Sequence, residues 1–206
     1  NVPWVDEHTT DFNSVSNREF TLDQLYDKLA QDLQFAAETL PEQQNDVGRP
    51  TKHAAQAYLA KVRLFQAYEQ DENHNVVNIN TARLTEVLAL TDAVISSGKY
   101  RLSEDFAENF IFEYENGPES IFAIQFSVDD GTPLGGRLNW GNNLNYHMAP
   151  QYGCCWFNIP SQNLVNSFKT SDNGLPLFDS FDDEEMSDPG DFIANGVDPR
   201  LGHTVA

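Results

Sequence analysis

The chain has 206 residues, of which 40% are hydrophobic and 12% aromatic, and its formal net charge is −20. The apolar content is sufficient for a packed core, which excludes a disordered chain, and the negative charge argues against nucleic acid and anionic membrane surfaces as partners, because their phosphates repel it. No stretch approaches the roughly 20 apolar residues of a membrane-spanning helix, so we expect a soluble, folded protein.

The first predicted helix follows Thr21. Thr21 and Gln24 have the T-x-x-Q spacing of a capping box, in which each side chain accepts a hydrogen bond from the other residue's backbone N–H. The apolar residues that follow are mostly three or four positions apart and therefore share one helix face: Leu22, Leu25, Tyr26, Leu29, Leu33, Ala36, Ala37 and Leu40. Pro41 ends the pattern, because proline has no backbone N–H with which to continue a helix.

A second helix is predicted from Pro50, a favoured first-turn residue, to about Gln70. Its alanines allow a neighbouring helix to approach closely, and its larger apolar residues fill the space between turns. We expect this helix to be the most buried one, with neighbours on more than one side. We also expect the helical aromatic residues to face other helices: Tyr26, Tyr58, Phe65 and Tyr68.

The third predicted helix begins at Asn80 or Thr81 and ends before Gly98, which stands where helices often continue into a positive φ. A short turn capped by Ser103 comes next. Residues 121–128 are then predicted to form a strand, whose apolar face is Phe122, Ile124, Phe126 and Val128.

After residue 128 the composition changes. Residues 129–160 contain five Gly and five Asn, and their aromatic residues follow no regular spacing, which indicates loops. Pro160 and Ser161 predict the start of a short helix whose apolar side is Leu164, Val165 and Phe168. Residues 172–198 contain nine Asp or Glu and no Lys or Arg, and we expect the chain from 170 onward to be irregular.

These elements predict a mainly α fold. Three long helices with short connections indicate tetratricopeptide-like stacked helix pairs, although the helix starts are further apart than that repeat requires. A loop-rich region and a minor β element complete the prediction. We divide the chain into a helical region, 1–128, which ends in the short strand, and a loop-rich, acidic region, 129–206.

The loop-rich region supplies the chemistry that sugar binding needs. Proteins stack aromatic rings on the apolar faces of sugars and place amides or carboxylates at their hydroxyl groups. The predicted ligand-binding residues are Trp140, Asn142, Asn143, Tyr146, Tyr152 and Trp156, of which the two tryptophans are the leading candidates. The alternative is that these rings only attach a long loop to the helical body.

The sequence has no motif for catalysis or metal binding. Cys154 and Cys155 are adjacent, so ordinary disulfide geometry and the spaced cysteine pairs of zinc sites are both out of reach. The acidic run 179–191 offers the oxygen ligands that calcium prefers but not the spacing of a calcium loop, so a solvated loop is the simpler interpretation. The five histidines are dispersed, and no nucleophile or phosphate-binding motif is present. We expect no enzymatic activity, no metal and no cofactor.

Several motif-like segments follow one another along the chain. They are Val2–Pro3, the helix from Leu22 to Pro41, GRPTKHAAQAYLAKVRL at 48–64, GKYRL at 98–102, ESIFAIQF at 119–126, FKTSDNG at 168–174 and DPRL at 198–201. In sequence and in order, these segments resemble those of the SusD/RagB family. The resemblance extends over nearly the whole chain. The order of the segments is more specific than any one of them.

This resemblance implies a lipid-anchored protein on the surface of a Gram-negative outer membrane. Such proteins bind glycans, or in some branches peptides, and deliver them to a TonB-dependent, SusC-like transporter barrel. Family members are longer than this chain, which shows neither their anchoring cysteine nor their first helices. We therefore expect a fragment whose lipid anchor and part of whose ligand site lie outside this sequence.

Two other function classes remain open. A glycoside hydrolase needs two carboxylates that face each other across a cleft, and 32 acidic residues leave such a pair possible. A helical-repeat scaffold would bind a protein partner along its surface. Incubation with polysaccharides separates these classes, because an enzyme turns them over, a binding protein retains them unchanged and a scaffold does neither.

Overall fold

A computed structural model of the protein describes residues 2–126, 160–188, 190–194 and 196–205. The chain divides into two compact units. The first, which we call the helical unit, comprises Asn1–Ser103 and Ile111–Gln125, and the second comprises Glu104–Phe110 and Phe126–Ala206. The division at residue 128 that the sequence suggests stays a prediction.

Helix α1, Leu22–Thr39, begins and ends as its local sequence predicts. Thr21 accepts a hydrogen bond from the backbone N–H of Gln24, and the Gln24 side chain accepts one from the backbone N–H of Thr21, which completes the capping box. Leu40 is already extended, and the carbonyl of Pro41 accepts a hydrogen bond from the N–H of Lys52 at 2.9 Å. The end of α1 is therefore joined directly to the start of the next helix.

Helix α2, Lys52–Ala67, is shorter at both ends than expected. Its N-cap is Thr51, whose hydroxyl accepts from the N–H of Ala54, so Pro50 precedes the cap and is not in the first turn. It has more buried residues than either neighbouring helix. They are His53, Ala54, Ala55, Leu59, Ala60, Gln66 and Ala67. It packs against both of the other long helices, which confirms the expected central position.

A β-hairpin that the sequence analysis missed follows α2. Strand β1, Tyr68–Gln70, pairs antiparallel with β2, Val76–Ile79. The carboxylate of Asp71 accepts from the backbone N–H groups of Asn73 and Asn75 and so holds the turn. Such local bonds compete with helix continuation, which explains why α2 ends at residue 67 and not near 70.

Helix α3, Thr81–Ser96, is capped by Asn80, and Gly98 after it has a φ of +67°, both as predicted. Arg83 at its start donates to the carbonyl of Gln66 at the end of α2, while Tyr100 beyond its end packs edge-on against His53 at the start of α2. The two helices are therefore antiparallel.

The mainly α class is confirmed, and the tetratricopeptide-like repeat stays a prediction.

A polar cluster centred on one buried amide joins the three helices. The side chain of Gln66 is only 3% exposed. Its amide nitrogen donates to Asp23 at 2.9 Å and Asp27 at 2.7 Å, both in α1, and its oxygen accepts from Arg63 at 2.6 Å. Arg83 of α3 lies 3.0 Å from the same Asp23 carboxylate. We call these five residues the Gln66 cluster.

Two expectations for the helical unit were wrong. Residues 121–126 form no strand, because Gln125 exchanges side-chain hydrogen bonds with Asn116 and no neighbouring strand pairs with this segment in the described part of the chain. The aromatic residues of α2 and β1 are not covered by other helices as expected. Tyr58 is 49% exposed, Phe65 56% and Tyr68 40%, although Phe65 and Tyr68 line a cleft beside Tyr26 of α1.

The described residues of the second unit form short elements. They are a 3₁₀ turn at Phe106–Phe110, α4 at Gln162–Asn166, β3 at Lys169–Thr170, α5 at Asp191–Ala194, β4 at Gly196–Val197 and α6 at Leu201–Thr204, with β3 and β4 antiparallel. A second 3₁₀ turn, Phe112–Tyr114, belongs to the helical unit. The region after residue 170 is thus less irregular than predicted.

The short helix α4 buries a polar residue where an apolar side was expected. Ser161 caps it as predicted, but Leu164 is 40% exposed. Asn166 is buried instead: it donates to Asp182 at 2.7 Å and accepts from the N–H of Met186, itself buried, at 3.0 Å. The acidic loop is therefore anchored through hydrogen bonds to Asn166.

Close packing at the alanines of α2 makes enlargement there unfavourable. Ala60 is 4% exposed, so Ala60→Leu should lower the free energy of unfolding by about 1–3 kcal/mol, because added methylenes force the helices apart. Ala89→Leu is the control, since Ala89 is exposed on α3. Urea unfolding of both variants tests this, and equal stabilities would contradict the close contact.

The Gln66 cluster should contribute measurably to stability. Gln66→Ala removes the buried amide that bonds to Asp23, Asp27 and Arg63, and we expect a loss of about 1–3 kcal/mol in the free energy of unfolding. Gln34→Ala removes a matched amide that bonds to Glu38 on the exposed surface and should change stability by less than about 0.5 kcal/mol. If the two variants unfold at the same urea concentration, the cluster is not a determinant of stability.

Candidate binding clefts

Three separate sequence segments line one cleft in the helical unit. They are the loop before α2, the turn after α3 and residues 116–123, and the cleft between them has a volume of about 520 Å³. Each segment contains part of a motif by which the sequence resembles the SusD/RagB family. We call this site the motif cleft.

Glycine at position 48 allows the segments to approach closely. Gly48 has a φ of +87°, and a Cβ added there would lie 2.7 Å from the side chain of Gln125. A larger residue would therefore be strained and would push residues 123–125 away. The glycine of the GRPT segment thus has a structural role in the cleft.

The charged groups of the motif cleft are paired with one another. Lys99 Nζ lies 3.2 Å from the carboxylate of Glu42, and Arg49 Nε lies 2.8 Å from that of Asp46. The hydrogen bond from Lys99 lowers the pKa of Glu42, so this carboxylate is ionised at neutral pH. Because the charges are compensated in pairs, the cleft is suited to an uncharged polar ligand more than to an ion.

The aromatic residues of the motif cleft are partly used in packing. Tyr100 is edge-on to His53 at 5.7 Å between ring centroids, and Phe122 is edge-on to Tyr58 at 6.2 Å. His53 is buried, and this burial lowers its pKa, so its imidazole is neutral at pH 7. The imidazole has a packing role here, and both cleft rings are only half-buried, which leaves them an open side.

A second cleft, in the second unit, brings together the two late motif segments. Residues 168–174 and 198–201 meet through the pairing of β3 with β4, and the cleft they line has a volume of about 420 Å³. Arg200 forms an ion pair with Asp198 and lowers the pKa of that carboxyl to about 2. This cleft therefore also has its main charges paired internally.

The six predicted ligand-binding residues, at positions 140–156, lie outside the described residues, as do Cys154 and Cys155. Over the described ranges, no group of three His, Cys, Asp or Glu side chains is placed to hold a metal ion. Among the acidic residues that suggested calcium, Asp191 instead accepts from the backbone N–H groups of Ser187 and Asp188.

The motif cleft was not predicted, because its segments are distant in sequence and only the motifs themselves pointed to them.

No helix in the described ranges is long and apolar enough to cross a membrane.

Among curated proteins, none matches the chain significantly. Residues 1–64, about the first third of the chain, match a family model described as SusD-like, starch-binding associating with outer membrane. The matched part includes α1 and most of α2. This match supports the resemblance to the SusD/RagB family that the motifs indicate.

Proposed function

We propose that the protein is a non-catalytic glycan-binding protein of the outer-membrane surface that delivers its ligand to a TonB-dependent, SusC-like transporter. The observation that carries this proposal is the match of residues 1–64 to a family described as starch-binding and associated with the outer membrane. Attachment to the membrane would be through a lipid anchor.

The ligand contacts that we propose come from the loop 129–160. Trp140, Tyr146, Tyr152 and Trp156 supply rings for stacking, and Asn142 and Asn143 supply amides for hydroxyl groups. These rings follow no helix or strand period, so regular packing does not account for their spacing. The paired charges of the motif cleft support the same preference for an uncharged ligand.

Charge also limits the ligand class. A chain with a net charge of −20 repels acidic polysaccharides, so we propose a neutral glycan. Stacking and neutral hydrogen bonds are little affected by screening, and the affinity should therefore change little between low and high salt. Some family branches bind peptides, and a basic peptide would instead bind more weakly as salt increases.

Removing either tryptophan should weaken glycan binding. We expect Trp140→Ala and Trp156→Ala to raise the Kd for maltoheptaose about three- to ten-fold each in the full-length protein, because each loses a stacking contact. Phe178→Ala is the matched control, since Phe178 is 82% exposed and lies outside the loop. Calorimetry at two salt concentrations makes the comparison.

Two results would contradict the proposed function. If both tryptophan variants are folded and bind maltoheptaose as tightly as the parent protein, the loop is not the site. A Kd that rises steeply with salt would contradict the neutral-glycan assignment and indicate a charged ligand.

A further inference from the structure

We infer that the helical unit carries a second glycan-contact site, separate from the loop 129–160. The site is a cleft between the start of α1, the end of α2 and β1, with a volume of about 380 Å³. Its lining combines apolar and polar side chains: Leu22, Asp23, Tyr26, Phe65, Gln66, Tyr68, Glu69 and Gln70. We call it the aromatic cleft, and the inference rests on the proposed glycan-binding function.

The rings of the aromatic cleft are open to solvent. Phe65 is 56% exposed and Tyr68 40%, and Tyr26 of α1 lines the same cleft. The buried residues of α2 are mostly alanines and do not include Phe65. Aromatic rings that are exposed within one concave site can stack on the apolar faces of sugars.

Two carboxylates of the cleft are held in position without a ligand. Glu69 accepts from the amide of Asn78 at 2.9 Å and from that of Asn80 at 3.2 Å. The hydrogen bond from Asn78 is the main cause of its lowered pKa, so Glu69 is an ionised acceptor at neutral pH. Asp23 is held by Gln66 and Arg83 in the same way. Both are pre-organised acceptors for ligand hydroxyl groups.

One arginine partly neutralises the carboxylates of the cleft. Arg83 lies 3.0 Å from Asp23 and 3.6 Å from Glu69, so one guanidinium already partly compensates both carboxylates. A neutral polyol can donate hydroxyl hydrogen bonds to these carboxylates while it stacks on a ring. The volume is near the lower end of the roughly 300–1,000 Å³ of small-molecule sites, which suits a short stretch of a glycan.

A second contact point has a consequence for long ligands. When one polymer reaches two sites on the same protein, the second contact forms at a high effective concentration. A glycan long enough to contact both sites should therefore bind more tightly than maltotriose, and loss of the aromatic cleft should reduce this difference.

The test uses Phe65→Ala in the full-length protein, both alone and together with Trp140→Ala and Trp156→Ala. We expect Phe65→Ala alone to raise the Kd for maltoheptaose at least three-fold and, in the combined variant, to abolish the weak binding that the two tryptophan substitutions leave. Phe65→Tyr keeps the ring and should bind like the parent. Phe35→Ala is the control, because Phe35 is 67% exposed on α1 outside this cleft. Circular dichroism verifies that each variant is folded.

The possible results separate the two sites. Parent-like binding by Phe65→Ala in both backgrounds overturns the second site and leaves the loop site standing. If Phe65→Ala loses maltoheptaose binding while the tryptophan variants bind like the parent, the aromatic cleft is supported and the loop site is refuted. If neither maltose oligomer binds the parent at millimolar concentration, both proposals fail. Phe65-dependent binding of a lysine tripeptide without maltoheptaose binding shows a cation site and overturns the glycan assignment.

Discussion

The arrangement of the helical unit depends on one buried amide. Gln66 lies near the end of α2, where α1 and α3 both begin, and its side chain bonds to Asp23, Asp27 and Arg63. Alanine interfaces permit close approach but distinguish poorly between neighbouring registers, because alanine faces are nearly uniform. A buried amide has fixed donor and acceptor positions, and leaving one of them unpaired costs free energy. The cluster therefore selects the register in which its hydrogen bonds form.

This division of roles between alanines and one polar cluster determines which side chains of the helical unit are exposed. Because small residues and hydrogen bonds hold the helices together, the aromatic residues of α2 and β1 are not needed in the core. Phe65 and Tyr68 are consequently exposed next to Asp23 and Glu69, whose carboxylates the same cluster and the β-hairpin orient. The structural solution for the fold and the proposed second site for a glycan are thus parts of one arrangement.

Local rules predicted the parts of the fold that depend on neighbouring residues. The cap at Thr21, the cap at Asn80 and the turn at Gly98 follow from side-chain bonds and backbone preferences within a few positions. The role of Gln66 and the exposure of Phe65 were not predictable in this way, because both depend on which helix face meets a neighbour. The six candidate residues at 140–156 rest on composition alone, and the motif cleft forms only when distant segments meet.

The central claim is that the protein retains a neutral glycan without cleaving it. The most direct measurement incubates the full-length protein with insoluble starch, then quantifies bound protein and released reducing ends. The account predicts retention at both low and high salt, elution by maltoheptaose and no increase in reducing ends. Release of reducing ends at the roughly 1–10³ per second that is typical of enzymes would contradict it and indicate a hydrolase. Absence of retention would contradict the glycan assignment itself.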